Sequence, residues 1–168
     1  MIRTEWTPAA YKENDSPIIR KAAFADKPVL LRFEQGVVEA ERTFTPEMKP
    51  GPQQYYDLDW LLTSSDAYLV VAESNGEVIA SGYARINESK PYLRHPHEAY
   101  LGFMYVLPEY RGKGINRLII DALKNWAKSH NVSELRLEVY SENAPAIKAY
   151  EKFGFKPYLL QMRMDAGN

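Results

Sequence analysis

Apolar residues recur along the first part of the chain at spacings that predict one strand and two helices. Ile18 to Ala22, which opens with two isoleucines, is predicted to form a short strand. Asp26 is placed to cap a helix whose first turn accepts Pro28 and whose pattern runs to about Arg42. A shorter helix is predicted over residues 55–64, after a loop rich in proline and glycine.

Two runs rich in Val, Ile and Tyr follow, at residues 67–74 and 77–86. They flank Asn75-Gly76, a pair that suits a type I′ turn because both residues tolerate positive φ. The sequence therefore predicts a β-hairpin here.

The second half of the chain alternates strands and helices. The predicted elements are a strand over 99–106, a helix from about Gly114, a strand over 135–139, a helix over 144–153 stopped by Gly154, and a strand over 155–164. With the first half, this order predicts an α+β fold that has one mixed sheet and helices packed against it.

The length and composition suit one globular domain: 168 residues, 45% hydrophobic and 26% charged. We expect residues 17–168 to form it and residues 1–16 to be an N-terminal extension. No stretch approaches the roughly 20 apolar residues that span a bilayer, and no signal peptide is apparent, so we expect a cytoplasmic protein without a membrane partner. The absence of cysteine excludes a cysteine acyl-enzyme.

The charge is nearly balanced overall but uneven along the chain. A net charge of −1 argues against nucleic acid as a partner, because such binding needs a basic face. Residues 111–128 hold five basic residues and one acid, whereas residues 30–66 hold seven acids and three basic residues. Solvated helix faces would explain both regions; so would an anionic cofactor at the first and a cationic acceptor at the second.

A strand, a sharp turn with two glycines and a helix follow one another between Val106 and Asn116. The first N–H groups of a helix have no internal partner, and glycine lets a phosphate approach the backbone closely, so this turn suits an anion. It is not a Walker loop, because no Gly-Lys-Ser/Thr stands at the required spacing, and it lacks the third glycine of the dinucleotide fingerprint.

Two strings of residues carry a family resemblance. The first is Arg111-Gly-Lys-Gly114-Ile-Asn116; the second, one helix and one strand later, runs from Asn143 through Ala146 and Tyr150 to Gly154. Together they resemble the two motifs of the Gcn5-related N-acetyltransferases (GNAT). The resemblance implies a three-layer sandwich, with a mixed, mostly antiparallel sheet of six to seven strands and helices on both faces.

The resemblance also implies acetyl-CoA as the acyl donor and assigns residues to it. The turn would hold the pyrophosphate, and the strand before it would hold the pantetheine arm through its backbone, with one N–H near the thioester oxygen. Asn116 departs from the family's Gly or Ala, and we expect its amide to donate a hydrogen bond to the pyrophosphate. The implied cofactor-binding residues are Met104, Tyr105, Val106, Arg111, Gly112, Lys113, Gly114, Ile115, Asn116, Asn143, Ala146 and Tyr150.

The resemblance assigns Tyr150 as the proton donor to the departing thiolate, which suits a phenol with a pKa of about 10. Asn143, two helical turns earlier, could equally be only a helix cap. For the general base, the candidates are Glu98 and Tyr100, which strand alternation would place on one face with Met104. A plain surface glutamate is the alternative for Glu98.

Other chemistries find less support in the sequence. His95 and His97 flank a proline without further ligands, and His130 is alone, so we assign no metal. No Gly-x-Ser-x-Gly elbow occurs, so we expect direct attack by the acceptor in a ternary complex rather than a serine acyl-enzyme.

The acceptor is expected to be a primary amine of a small molecule or of a peptide or protein. By the resemblance, its pocket would draw on the first helix, the loop after it and the segment between the two halves of the sheet. A non-catalytic acyl-CoA-binding module on the same fold is the alternative function, and a homodimer is left open. The candidate acceptor residues are Glu34, Glu39, Tyr55, Tyr56, Asp57 and Tyr92.

Overall fold

The computed structural model of the protein describes residues 16–167, which form two compact units, one ending at Leu137 and the other beginning at Glu138. The predicted N-terminal extension, residues 1–16, lies almost wholly outside the described residues, and the single-domain assignment stays a prediction. None of the described helices is long and apolar enough to cross a membrane.

The first unit is built around a five-stranded sheet in the order β1-β2-β3-β4-β5. Its first three pairings are antiparallel, and β4 and β5 are parallel. The mixed α+β architecture is confirmed, and the sheet formed by residues 16–167 has five strands rather than the six to seven expected. Its elements are β1 (Ile18–Lys21), α1 (Lys27–Glu41), α2 (Leu58–Thr63), β2 (Ala67–Ser74), β3 (Glu77–Glu88), β4 (His97–Val106), α3 (Ile115–Ser129) and β5 (Leu135–Arg136).

Helices cover both faces of this sheet. On one face, α1 and α2 bury Leu30, Leu61 and their neighbours against Leu69 and Phe103. On the other, α3 lies so close to β3 that a Cβ atom added to Gly82 would stand 2.5 Å from a methyl carbon of Ile119. This close approach sets the distance between the sheet and α3, the helix that begins directly after the glycine turn.

The hairpin between β2 and β3 turns as predicted, since Asn75 (φ 52°) and Gly76 (φ 77°) both adopt positive φ. Helix α1 also begins where expected, but the Asp26 side chain makes no capping bond to it. Its carboxylate instead accepts two bonds from the Arg20 guanidinium, at 2.8 and 2.9 Å, and one from the Ala23 N–H. Asp26 therefore ties β1 to the start of α1.

The second unit contains one helix, α4 (Ala144–Phe153), which ends at Gly154 in the left-handed conformation, as predicted. The predicted strand over 155–164 is wrong: within the described chain, this segment forms no strand. Its alternating apolar residues fit a strand, but a strand also needs a hydrogen-bonded neighbour, and Tyr158 and Leu160 are about 70% exposed (72% and 69%). The strand over 135–139 is likewise shortened to two residues.

Candidate active site

A β-bulge interrupts the pairing of β3 and β4. Ser81 pairs with Tyr105, but Tyr83 pairs with Gly102, so two residues of β4 stand opposite the single residue Gly82. Phe103, within the bulge, is buried and has a φ of 55°, a left-handed conformation that is strained for a bulky side chain. The Ser81 hydroxyl donates a 3.1 Å hydrogen bond to the Phe103 carbonyl. This hydrogen bond stabilises the bulge.

The bulge changes which side chains of β4 share a face. Cross-strand partners point to the same side of a sheet, so the pairs Tyr83–Gly102 and Ser81–Tyr105 place Tyr100, Gly102 and Tyr105 together. The expectation that Tyr100 shares a face with Met104 is therefore wrong, because the extra residue shifts the alternation by one.

The edge of β4 that faces away from β3 is mostly open. Strand β5 pairs with it only at Ala99 and Tyr100. From Leu101 to Val106, the backbone on that edge has no ladder partner in the described sheet. An extended molecule can add to such an edge through main-chain hydrogen bonds.

The turn after β4 presents backbone to open space. Gly112 and Gly114 have φ of 75° and 79°, and a Cβ added to either would meet no atom within 4 Å. The first helical donors are the N–H groups of Arg117 and Leu118, which bond the Gly114 carbonyl. The N–H groups before them start α3 without a helical acceptor.

Two side chains shape this turn. Arg111 folds back, with its Nε donating to the Val106 carbonyl at 3.0 Å and its guanidinium 5.8 Å from the Tyr105 ring centre. Lys113 lies over the Tyr110 ring at 5.2 Å. Both basic groups thus stand at the glycine turn.

Asn116, in the first turn of α3, is partly buried. Its Oδ1 is buried without a hydrogen-bond partner among the described residues.

On the α1 face, a fully buried carboxylate holds the loop after α1. Glu34 is 1% exposed, and its Oε1 accepts the backbone N–H groups of Tyr55 and Tyr56 at 2.7 and 2.9 Å. Gln35 and Arg42 add further bonds, to Gln53 and to the carbonyls of Lys49 and Gly51. These hydrogen bonds hold residues 49–56 against α1.

This loop brings aromatic rings to the bulge. The Tyr56 ring stacks on the Phe103 ring, with centroids 4.4 Å apart, and meets the Tyr83 ring edge-on at 5.9 Å. Burial, with smaller contributions from Tyr83 and Glu41, raises the pKa of the Tyr56 hydroxyl above its usual range, so it stays protonated. A hollow of about 80 Å³ adjoins these rings, lined by Tyr55, Tyr56, Asp57, Trp60, Leu61, Tyr83 and Arg85.

A second carboxylate of α1, that of Glu41, is half-buried beside the same loop. Burial raises its pKa above the usual range of a glutamate, and a hydrogen bond from Tyr55 acts in the opposite direction. The Tyr55 hydroxyl also donates to the Met48 sulfur, at 3.7 Å.

In the second unit, Asn143 caps α4, because its Oδ1 accepts the Ala146 N–H at 3.3 Å. Tyr150 lies two turns further along α4 and meets the Phe155 ring edge-on, with centroids 5.9 Å apart. Asn143 thus acts as the cap of α4, and the cofactor contacts expected of Asn143, Ala146 and Tyr150 stay predictions.

A sequence model described as the acetyltransferase (GNAT) family matches residues 35–155, which include the bulge, the glycine turn and α4. The chain belongs to this family. An N-alpha-acetyltransferase of Saccharolobus solfataricus is 31% identical to this acetyltransferase over 127 residues, 71% of this chain and 72% of the relative.

Solved structures share the fold of the acetyltransferase. A mutant protein of Bacillus halodurans has a TM-score of 0.80 at 21% identity and covers 88% of this chain and 98% of its own. A predicted acetyltransferase of Clostridium acetobutylicum, solved with acetyl-CoA, has a TM-score of 0.68 at 22% identity and covers 89% of this chain and 96% of its own.

The geometry of the acetyltransferase fits acetyl-CoA. The open space before Gly112 and Gly114 leaves room for a pyrophosphate, and the unpaired edge of β4 leaves room for a pantetheine arm. Arg111 and Lys113 provide positive charge beside the turn. The cofactor contacts expected of Met104, Val106 and the turn stay predictions.

The two expected bases lie in different surroundings. Glu98 pairs with Arg136, with Oε2 and Nε 2.9 Å apart, and Glu134 adds a second carboxylate to that guanidinium. Tyr100 lies under the Arg85 guanidinium, 5.1 Å from the ring centre. Neither assignment gains direct support, and both stay predictions.

The expected acceptor residues divide into two groups. Glu34, Tyr55, Tyr56 and Asp57 belong to the α1 side of the bulge, where Asp57 caps α2 by accepting the Trp60 N–H. Glu39 is instead exposed and pairs with Arg42, and Tyr92 is 76% exposed beside Lys90. Sequence reasoning missed the bulge.

Proposed function

We propose that this acetyltransferase moves the acetyl group of acetyl-CoA to the free α-amine of a peptide or protein, by direct attack in a ternary complex. The observation that carries the proposal is the β4 bulge, which stands between the glycine turn and the aromatic rings of the loop after α1. Donor-binding and acceptor-binding features thus meet at one strand.

The peptide amine is favoured over a small-molecule amine by the relative from Saccharolobus solfataricus, whose name specifies an α-amine and whose similarity spans most of both chains. The seven acids of residues 30–66 suit a cationic acceptor. A small-molecule amine stays the second candidate.

In this proposal, Arg111, Lys113 and the backbone from Gly112 to Asn116 hold the pyrophosphate, and Met104, Tyr105 and Val106 hold the pantetheine arm. Bound acetyl-CoA supplies the activated acyl group. An N–H of the bulge stabilises the negative charge that develops on the thioester oxygen. Tyr150 donates the proton that the departing sulfur needs.

The test uses a short lysine-free peptide with a free N-terminal serine. We expect saturable release of CoA thiol with acetyl-CoA and this peptide, and none with the same peptide already acetylated at its N-terminus. Thiol release only with an aminoglycoside or a polyamine would replace the peptide by a small-molecule acceptor.

Cofactor binding is tested separately by the melting temperature with and without acetyl-CoA. Saturation at 100 times the dissociation constant stabilises a protein by about 2.7 kcal/mol. We expect this shift to disappear in Gly114→Glu, because a carboxylate would then stand at the turn. A shift without thiol release from any amine would instead support a non-catalytic acyl-CoA-binding module.

A further inference from the structure

We propose that Arg85, on β3, binds a carboxylate of the acceptor, so that the acetyltransferase favours a peptide with an acidic residue at its first or second position. The proposal rests on the proposed function and adds a determinant of acceptor choice to it. It is carried by the place of this guanidinium at the hollow beside the bulge, where no carboxylate of residues 16–167 pairs with it.

Arg85 lies on the same face of the sheet as the residues that frame the bulge. It pairs with Tyr100 across the strands, and cross-strand partners point to the same side of a sheet. Tyr83, two residues earlier on β3, pairs with Gly102 at the bulge. Its ring belongs to the core between the sheet and helices α1 and α2. Arg85 is therefore on the α1 side of the sheet, roughly 7 Å along β3 from Tyr83.

A continuous series of ring contacts connects Arg85 to the bulge. The guanidinium lies 5.1 Å from the Tyr100 ring centre, and that ring is 6.4 Å from the Tyr83 ring. The Tyr83 ring meets the Tyr56 ring edge-on, and the Tyr56 ring stacks on Phe103. Arg85 thus stands at the outer end of a row of rings whose inner end is the bulge.

The hollow of about 80 Å³ beside these rings gives an acceptor access to Arg85. Two of its lining residues carry charge, Asp57 and Arg85. The Asp57 Oδ1 accepts the Trp60 N–H at 2.9 Å and thereby caps α2, whereas the Arg85 side chain is exposed. The hollow therefore combines aromatic walls with a guanidinium that an acceptor can reach.

The charge of Arg85 is not balanced by an ion pair within residues 16–167. By contrast, Arg20, Arg42 and Arg136 each hold a carboxylate of the protein itself. A guanidinium that stacks on a ring by its face keeps its N–H groups for a carboxylate, which it binds through two parallel hydrogen bonds. Arg85 is therefore suited to receive a carboxylate from the acceptor.

The spacing and the charges define which part of the acceptor Arg85 would select. An extended peptide rises about 3.3 Å per residue, so two residues span roughly the 7 Å that separate Arg85 from Tyr83. A carboxylate at one of these two positions is attracted by Arg85, and a second cationic group there is repelled. The acids of residues 30–66 attract the reacting ammonium itself, so the two preferences act on different parts of the acceptor.

The test compares kcat/KM for lysine-free peptides that begin with serine and carry glutamate, glutamine or arginine at the second position. We expect wild type to favour glutamate over glutamine roughly 10-fold, and glutamine over arginine. A peptide with glutamine second and glutamate sixth has the net charge of the first peptide and should behave like the glutamine peptide. A further pair, with glutamate or glutamine as the first residue, tests the position nearest the amine.

Variants of Arg85 assign the preference to this residue. Arg85→Gln should lower kcat/KM for the glutamate peptide to that of the glutamine peptide, whose own value should stay unchanged. Arg85→Glu should reverse the order and make the arginine peptide the better acceptor, which a loss of packing alone would not do. Arg94→Gln makes the same change of charge at an exposed position of the loop between β3 and β4, and should keep the wild-type order.

The melting shift with acetyl-CoA, measured in each variant, shows that the fold and the donor site remain. Equal kcat/KM for glutamate and glutamine at both positions in wild type, or a preference that survives Arg85→Gln, would overturn the role of Arg85 while leaving the proposed function intact. Absence of turnover by wild type with every peptide would remove the proposed function, and the role of Arg85 with it.

Discussion

The ring of Tyr56 stacks on the ring of Phe103, with centroids 4.4 Å apart and planes inclined by 25°. Phe103 is the residue of β4 whose left-handed backbone makes the bulge, and Tyr56 belongs to the loop after α1. Strained residues persist only where their surroundings hold them. The stacked ring of Tyr56 is one of these restraints, so the loop helps to set the backbone at the candidate active site.

The first prediction concerns this stack. Tyr56→Leu should destabilise the protein by about 1–2 kcal/mol through the lost ring contact, and should lower kcat roughly 10- to 100-fold because the bulge N–H moves. Tyr56→Phe keeps the stacking ring, so its free energy of unfolding and its kcat should stay near those of wild type. Urea unfolding and the peptide assay measure the two effects. Equal loss of kcat in both variants would mean that the hydroxyl, not the stack, is responsible.

A second prediction concerns the buried carboxylate of Glu34. Glu34→Leu leaves the part-buried N–H groups of Tyr55 and Tyr56 without their acceptor, which should lower the free energy of unfolding by about 1–3 kcal/mol. Glu34→Gln keeps an oxygen that can accept both bonds and should cost much less. Urea unfolding of the two variants gives the comparison; equal losses would mean that the charge matters more than the two bonds.

Local signals in the sequence were enough for several elements. Asn75-Gly76 predicted its turn because positive φ at two successive residues is a local requirement. The glycine turn and α3 were also predicted from local signals, because Gly114 directly precedes the helix whose apolar stripe is visible in the sequence.

The bulge could not be predicted, because Ala99, Leu101 and Phe103 alternate as in a regular strand. The bulge depends on β3 as well. Gly82 stands opposite it, and the Ser81 hydroxyl donates a hydrogen bond to the Phe103 carbonyl. Long-range contacts of this kind leave no periodic signal.

A third prediction concerns pH and the pair formed by Arg20 and Asp26. Hydrogen bonds from Arg20 hold the pKa of Asp26 below its usual range in the folded protein. Because the folded pKa is the lower one, this stabilisation is complete above the unfolded pKa of about 3.9 and is lost as pH falls through the folded pKa. At pH 7 the free energy of unfolding of wild type should exceed that of Asp26→Asn by about 1 kcal/mol. This figure allows for the solvent screening of the partly exposed Arg20.

Unfolding by urea across the acid range measures this difference. It should shrink toward zero as Asp26 becomes protonated, and it should be small at every pH in an Arg20→Gln background. A difference that persists at the lowest pH, or in that background, would show that asparagine disturbs the turn by itself.

The last prediction reverses a general rule for helices. Gly→Ala within a helix usually stabilises by about 1 kcal/mol, and Gly36 lies inside α1. Here an added Cβ would lie only 2.6 Å from the Cζ atom of Tyr105, so the end of this ring lies against the helix at Gly36. Gly36→Ala should therefore destabilise the protein by about 1–3 kcal/mol, as overpacking does.

A double-mutant cycle with Tyr105→Ala identifies the cause. Tyr105→Ala removes the three atoms nearest to the added Cβ, so alanine at position 36 should then be neutral or stabilising and the two changes strongly non-additive. Urea unfolding of the four proteins gives the coupling free energy. Additive losses would mean that α1 can move away from β4 freely; a large coupling would mean that the ring of Tyr105 and the missing side chain of Gly36 together set the distance between helix and strand.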